Sequence, residues 1–204
     1  MIKKAHDKDI DQLKKIYDEC YGAEFRTFYF DHVFKPSNTY VVNNYDEITF
    51  TISVNRHPVW LADKKLNVSY LTGLYIKDHT IAKQALREVI DEMEYNDLLT
   101  FIDHKDQAQF EGLGFDLSYQ NTVYSVERSQ VAVYSNKGIS DKATVSELKD
   151  VYRRFTAYFN GYCHRDSDYY QMLMKWLDAS HHRILAYRND NDELEGYIIY
   201  YDQI

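Results

Sequence analysis

Between Tyr70 and Met93 the chain reads YLTGLYIKDHTIAKQALREVIDEM, and its hydrophobic period changes across one short turn. Upstream, LNVSYLTGLYI has the β-branched and aromatic residues of a strand. From Ile81 onward, Ala82, Ala85, Leu86, Val89, Ile90 and Met93 recur at helical spacing and predict an amphipathic helix. A strand that feeds such a helix so abruptly must belong to a sheet on which the helix packs. The segments on either side agree. Asp9 with Gln12 predicts a capping box, and Ile10, Leu13, Ile16, Tyr17 and Cys20 predict a helix from about Asp9 to Cys20. A second helix is expected after Gly22, with Phe25, Phe28, Tyr29 and Val33 on one face. TYVV and EITFTISV, separated by NNYD, read as a β-hairpin. LLTFI reads as a short buried strand, KDQAQFEGLGF as a helix stopped by glycine, and TVYSV as a closing strand.

After Arg128 the pattern restarts. VAVYS is strand-like, and Thr144 with Glu147 forms a capping box ahead of Leu148, Val151, Tyr152, Phe155 and Phe159. A further helix is expected from about Asp168 to Leu177, and RILAYRNDNDELEGYIIYY repeats the strand, polar turn and strand of TYVVNNYDEITFTISV. The expected organisation is an α+β domain over residues 1–128, a mixed sheet flanked by helices, and an incomplete second copy over residues 129–204. The copy stops before any counterpart of the Tyr70–Met93 unit.

The formal charge of −8, with no long Lys/Arg run, argues against nucleic acid and favours small cationic or amine-bearing partners. No apolar stretch nears the roughly 20 residues that a membrane span requires. Cys20 and Cys163 form no paired spacing, and MIKKAHDKDIDQLKK has no apolar signal core, so a soluble cytoplasmic protein is expected.

The element order, with AQFEGLGFD near the end of the first part, resembles the GNAT N-acetyltransferases, whose FYEKLGF signature places a glycine at the end of the last helix. The restart near residue 130 is similar to the enhanced intracellular survival (Eis) type, which has tandem GNAT-like domains and a third domain. VYRRFTAYFNGYCHRDSDYYQMLMKWL resembles that type's second domain, with Gly161, Arg165, Tyr169 and Tyr170 at matching positions. The resemblance implies acetyl transfer from acetyl-coenzyme A to a primary amine, of a small molecule or a peptide. It also implies a splayed strand that supplies an N–H near Leu74 or Ile76 to the acyl oxygen, and a pyrophosphate loop of the form R-x-x-G-x-G/A at a helix N-terminus. Backbone N–H groups converge at such a terminus and the helix dipole favours the anion. The corresponding cofactor positions are Leu74, Tyr75, Ile76, Lys77, Thr80, Ile81 and Ala82.

Three departures from the family pattern fall at this site. The arginine and both glycines of the loop are missing from LYIKDHTIAKQAL, and Asp78 or Thr80 caps the helix where an aspartate would repel a pyrophosphate. Phe110 takes the position of the tyrosine that protonates the leaving thiolate. The chain ends at Ile204, short of the family's own C-terminal carboxylate, which makes it either a fragment or a shortened relative. Tyr124 or Tyr119 is a candidate substitute acid on a neighbouring strand, or else a core residue. His79 and His104 are candidate bases, or else solvated loop residues. CHRD with His181 and His182 lacks metal-ligand spacing, and NDNDELE reads as a solvated turn rather than a calcium loop. The competing expectation is a non-catalytic GNAT-like binding module. The last strand, GYIIYYDQI, would have a bare edge, so a homo-oligomer or a fold-back over that edge is expected.

Overall fold

The computed structural model describes residues 1–94, 97–103, 107–118, 123–130 and 136–200. It is mixed α+β. The first sheet has the order β1 (Lys3–Lys4), β2 (Thr39–Asn44), β3 (Glu47–Leu61), β4 (Lys64–Ile76), β5 (Thr100–Ile102). All neighbours are antiparallel except β4 and β5, which are parallel and paired at Ser69–Thr100, Tyr70–Phe101 and Leu71–Ile102. Three helices accompany the sheet: α1 (Ile10–Tyr21), α2 (Ala23–His32) and α3 (His79–Glu94).

Two apolar layers hold these elements. Leu13 and Ile16 of α1 cluster with Val41 and Ile48 of the sheet, and Tyr75 packs against that cluster. Ala85, Leu86, Val89 and Met93 of α3 pack on Tyr40, Phe50, Ile52 and Leu71. Each such side chain is worth about 1.5–3 kcal/mol when fully buried. The α3-to-β5 turn is fixed by Asp97. Its carboxylate is 1% exposed, accepts from the Ser69 hydroxyl at 2.5 Å and pairs with Arg56.

The second part contains β6 (Ile139–Ser140), α4 (Val145–Thr156), β7 (Gly161–Cys163), α5 (Ser167–Ala179), β8 (Arg183–Arg188) and β9 (Leu194–Tyr200). β6, β8 and β9 form an antiparallel sheet in that order. Leu148, Tyr170 and Leu177 of the helices meet Ile184, Ala186 and Leu194 of the strands. The Thr144–Glu147 capping box forms as expected. β7 leaves this sheet and pairs with β3 through Val59–Cys163, Trp60–Tyr162 and Leu61–Gly161, so the second part supplies a strand to the first sheet. Trp60 Nε1 donates to His164 Nδ1 at 3.1 Å beside that junction.

Several expectations need correction. Gln12 is not part of a cap: its side chain donates to Asp46 O and accepts from Ile48 N, tying α1 to the start of β3. The reciprocal partner of Asp9 is His6, whose N–H donates to the Asp9 carboxylate. The segment expected as a helix around FEGLGF is a short 3-10 turn, Gln107–Phe110, followed by turn residues, because Gly112 and Gly114 both take positive φ. The described part of TVYSV, Val123–Val126, is irregular and exposed rather than a strand, and Thr122 lies outside the described residues. The long helix starts at His79 rather than Ile81. VAVYS, residues 131–135, lies outside the described residues.

QLKKIY at 12–17, in α1, returns as ELKDVY at 147–152, in α4, so that Leu13 corresponds to Leu148 and Tyr17 to Tyr152. Both leucines are fully buried.

Candidate functional site

The candidate site lies where β4 departs from β5. Their pairing ends at Leu71, and from Thr72 to Ile76 no described strand lies on that side of β4. In the same place β4 bulges: Ser53 pairs with Thr72 and Thr51 with Tyr75, so Gly73 and Leu74 together face Ile52. Gly73 has φ of +63°, and a Cβ on it would lie 1.7 Å from Tyr17 Oη. Both the left-handed backbone and the close approach of α1 therefore require glycine here. A strand that splays and bulges turns backbone polar groups away from the ladder, where an extended ligand can reach them.

The wall of the site on the α1 side is aromatic. The Tyr17 ring stacks on Tyr29 at 4.8 Å and meets the edge of Phe30 at 5.4 Å. Phe25 and Phe28 of α2 carry the wall to Trp176 of α5, at 5.7 and 5.0 Å. Burial, followed by the nearby Tyr29, pushes the Tyr17 hydroxyl well above the ordinary tyrosine range, so the proton stays on it.

Beyond the bulge, the turn into α3 has only Lys77 and Asp78. Its backbone is already engaged, since Lys77 N and Asp78 N both donate to Thr49 O, at 2.9 and 3.4 Å. Lys77 Nζ pairs with Glu47. Asp78 Oδ1 accepts from Thr80 N at 2.9 Å and Thr80 Oγ1 at 2.6 Å. These bonds hold the Asp78 carboxyl below the usual range and put a negative charge on the helix N-terminus. The other expected cofactor positions divide by face. Leu74, Ile76 and Ile81 pack against the α3-side core, Tyr75 against the α1-side cluster, and Ala82 is buried.

The expected catalytic positions are not brought together. Phe110 is buried in the α3-side core with its ring edge-on to Phe115 at 5.5 Å. The adjoining turn is held by Arg87, which donates to Gly112 O at 2.8 Å. Tyr124 is 84% exposed, neither on a strand nor in the core. His79 is the exposed first residue of α3. Tyr119 and His104 lie outside the described residues.

CHRD serves structure instead. Cys163 pairs in β7, His164 receives the Trp60 bond, Arg165 stacks on Tyr152 and Tyr169, and Asp166 caps α5. Among the described residues no group of three His, Cys, Asp or Glu is placed to hold a metal, and no helix is long and apolar enough to cross a membrane. A separate cleft of about 900 Å³ lies in the second part, lined in part by Val151, Tyr152, Arg165, Gly196 and Tyr197. The spacing of Tyr17 on α1 gave a core position, and its close approach to Gly73 was not legible in the sequence.

No protein-family profile matches the chain, and no curated protein sequence matches it. Solved structures do. The GCN5-related N-acetyltransferase of Anabaena variabilis ATCC 29413 superposes with a TM-score of 0.66 at 14% identity, over 98% of this chain and 53% of its own. Eis1 of Mycobacterium abscessus gives 0.65 at 11% identity, over 98% and 53%. The N-myristoyltransferase of Saccharomyces cerevisiae, solved with bound myristoyl-CoA, gives 0.62 at 8% identity, over 98% and 57%. The chain therefore has the GNAT fold, and it spans a little over half the length of these neighbours.

Proposed function

We propose that this chain is an acyl-coenzyme A dependent N-acyltransferase of Eis-like type, transferring acetyl to a primary amine and holding its cofactor weakly. The carrying observation is the Gly73–Leu74 bulge on a strand whose far edge is open beyond Leu71. The pantetheine arm would lie along that edge like an added strand. The acyl oxygen would meet bulge N–H groups that are fixed before substrate arrives, the arrangement that stabilises a developing oxyanion best. The amine nitrogen adds to the thioester carbon, the C–S bond breaks, and the sulfur leaves with the electron pair. Acidic residues on α1 and α2, including Asp18 and Glu24, suit a cationic acceptor approaching over the aromatic wall. The fold shared with acyl-CoA enzymes supports the same reading.

Asp78 and the spent N–H groups of Lys77 and Asp78 replace the pyrophosphate loop, and Phe110 has no proton for the thiolate. Each lost contact to a charged phosphate is worth about 1–3 kcal/mol, enough together to remove most of a micromolar affinity. The second reading, a non-catalytic module on the same fold, is favoured by those same residues. Calorimetric titration with acetyl-coenzyme A, followed by an assay on spermidine, separates them. Binding weaker than about 10 μM with slow but cofactor-dependent acetylation is expected. Saturable binding without any acetylation supports the second reading, and no binding at millimolar cofactor overturns the first.

A further inference from the structure

The cleft of about 900 Å³ beside α4 and β9 gathers positive charge on a chain whose formal charge is −8. Arg153, Arg154 and Arg165 line it, against one acid, Glu195. Asp150 answers Arg153 and Arg154 together, at 2.5 and 3.1 Å, and Glu195 is turned to Asn189, from which it accepts at 2.9 Å. Arg165 is half-buried, and among the described residues no carboxylate pairs with it. Its neighbours are tyrosines: the guanidinium stands over Tyr152 at 4.3 Å and Tyr169 at 5.1 Å, and the Tyr170 hydroxyl is a hydrogen-bonding neighbour. Burial raises all three hydroxyls above the ordinary tyrosine range, so none ionises to supply a negative charge. The ring faces offset part of the cost of burying a cation without neutralising it.

Topology keeps this face open. α1, which corresponds to α4, is followed at once by α2, whose Tyr29 and Phe30 cover Tyr17 to 1% exposure. After α4 the chain leaves through β7 to join β3, and Phe155 and Tyr158 at the end of α4 stay 60% and 88% exposed. On β9, a Cβ at Gly196 would meet nothing within 4 Å. From this arrangement we propose that the α4–β9 cleft binds a small organic anion, its carboxylate or phosphate oxygens on the edge of the Arg165 guanidinium and its flat body against Phe155 and Tyr158. The fork of guanidinium N–H donors matches either oxyanion, and a cleft of this volume suits a small-molecule ligand. This site is separate from the β4 bulge and does not depend on the acyl-transfer reading.

The test titrates the intact chain with phenyl phosphate, benzoate, benzyl alcohol and benzylamine. An acidic chain without such a site attracts the amine most. One of the two anions should instead bind at least about tenfold more tightly than benzyl alcohol and benzylamine, the size of one charge-assisted hydrogen bond. Phenyl phosphate in the lead marks a phosphorylated ligand, and benzoate a carboxylate. Arg165→Gln should remove the margin. Because that change also touches the stack on Tyr152 and Tyr169, Tyr158→Ala is the second variant: being exposed, it should melt with the parent while losing severalfold in anion affinity. If neither anion binds more tightly than benzyl alcohol, or if both variants keep the parent's affinity, the inference fails.

Discussion

Gly73 carries two demands that no other residue meets. Its backbone is left-handed, and the Tyr17 ring occupies the space of a side chain, with Oη 1.7 Å and Cζ 2.7 Å from where a Cβ would sit. Gly73→Ala is therefore expected to lower stability by about 2–4 kcal/mol, combining strain with overpacking. Because Cζ as well as Oη is in the way, Tyr17→Phe will not rescue it. Chemical denaturation of the single and double variants checks this, and a double variant as stable as the parent would refute it. Asp78 gives a prediction of opposite sign. Asp78→Asn keeps an oxygen for the Thr80 bonds but removes the charge at the start of α3, so acetyl-coenzyme A should bind several-fold more tightly, most clearly at low salt. Phe110→Tyr alone should not restore ordinary turnover. A proton donor contributes a factor of about 10² to 10⁴ only for a well-held substrate, and Phe110 points into packed core.

At the scale of elements, α4 and β8 are joined through Glu147. Arg188, and then the N–H and hydroxyl of Thr144, hold the Glu147 carboxyl down to about 2. A depressed folded-state value contributes stability that is complete above the ordinary glutamate value of 4.5 and is lost as pH falls from there toward about 2. Glu147→Gln should cost about 1 kcal/mol at neutral pH, as loss of a capping box does, and should flatten the acid limb of the stability curve over that window. Thermal melts between pH 2 and 6 measure both effects, and equal acid limbs for parent and variant would count against this pairing.

The elements whose identity was plain in the sequence are those with a long uninterrupted period: α1, α3, α4, α5 and the two hairpins. The misreadings have local causes. TVYSV has strand residues but no described strand beside it, and strand propensity without a partner does not make a strand. In FEGLGF two glycines with positive φ, two and four residues beyond the 3-10 turn, prevent a further helical turn. Gln12 fits a cap by spacing, yet the start of β3 offers it both a donor and an acceptor. Of the candidate site, the strand-to-helix turn and its aspartate were legible. The bulge was not, because it depends on the register of β3, nor was the approach of Tyr17 to Gly73, which depends on how α1 packs on that strand.

For the whole molecule, the second sheet carries apolar residues in the open. Ile198 is 59% exposed, Ile199 and Tyr187 are also exposed, and β9 has β8 on one edge and no described strand on the other. In the first sheet β3 has β2 on one edge and β4 on the other. Exposed strand edges with apolar neighbours attract other strands. The chain should therefore associate with itself in a concentration-dependent way, and Ile198→Lys should shift it toward monomer while α4 and α5 stay folded. Light scattering across a dilution series decides, and a parent that remains monomeric at high concentration would rule this out.

The strand Gly161–Cys163 bears on how such a chain can change over generations. Three residues of the second part complete the ladder of the first part's longest strand, and His164 accepts from Trp60. Losing residues 129–204 would strip that ladder, and losing residues 1–128 would leave β7 with nothing to join. A substitution at this strand in either part therefore reaches the other.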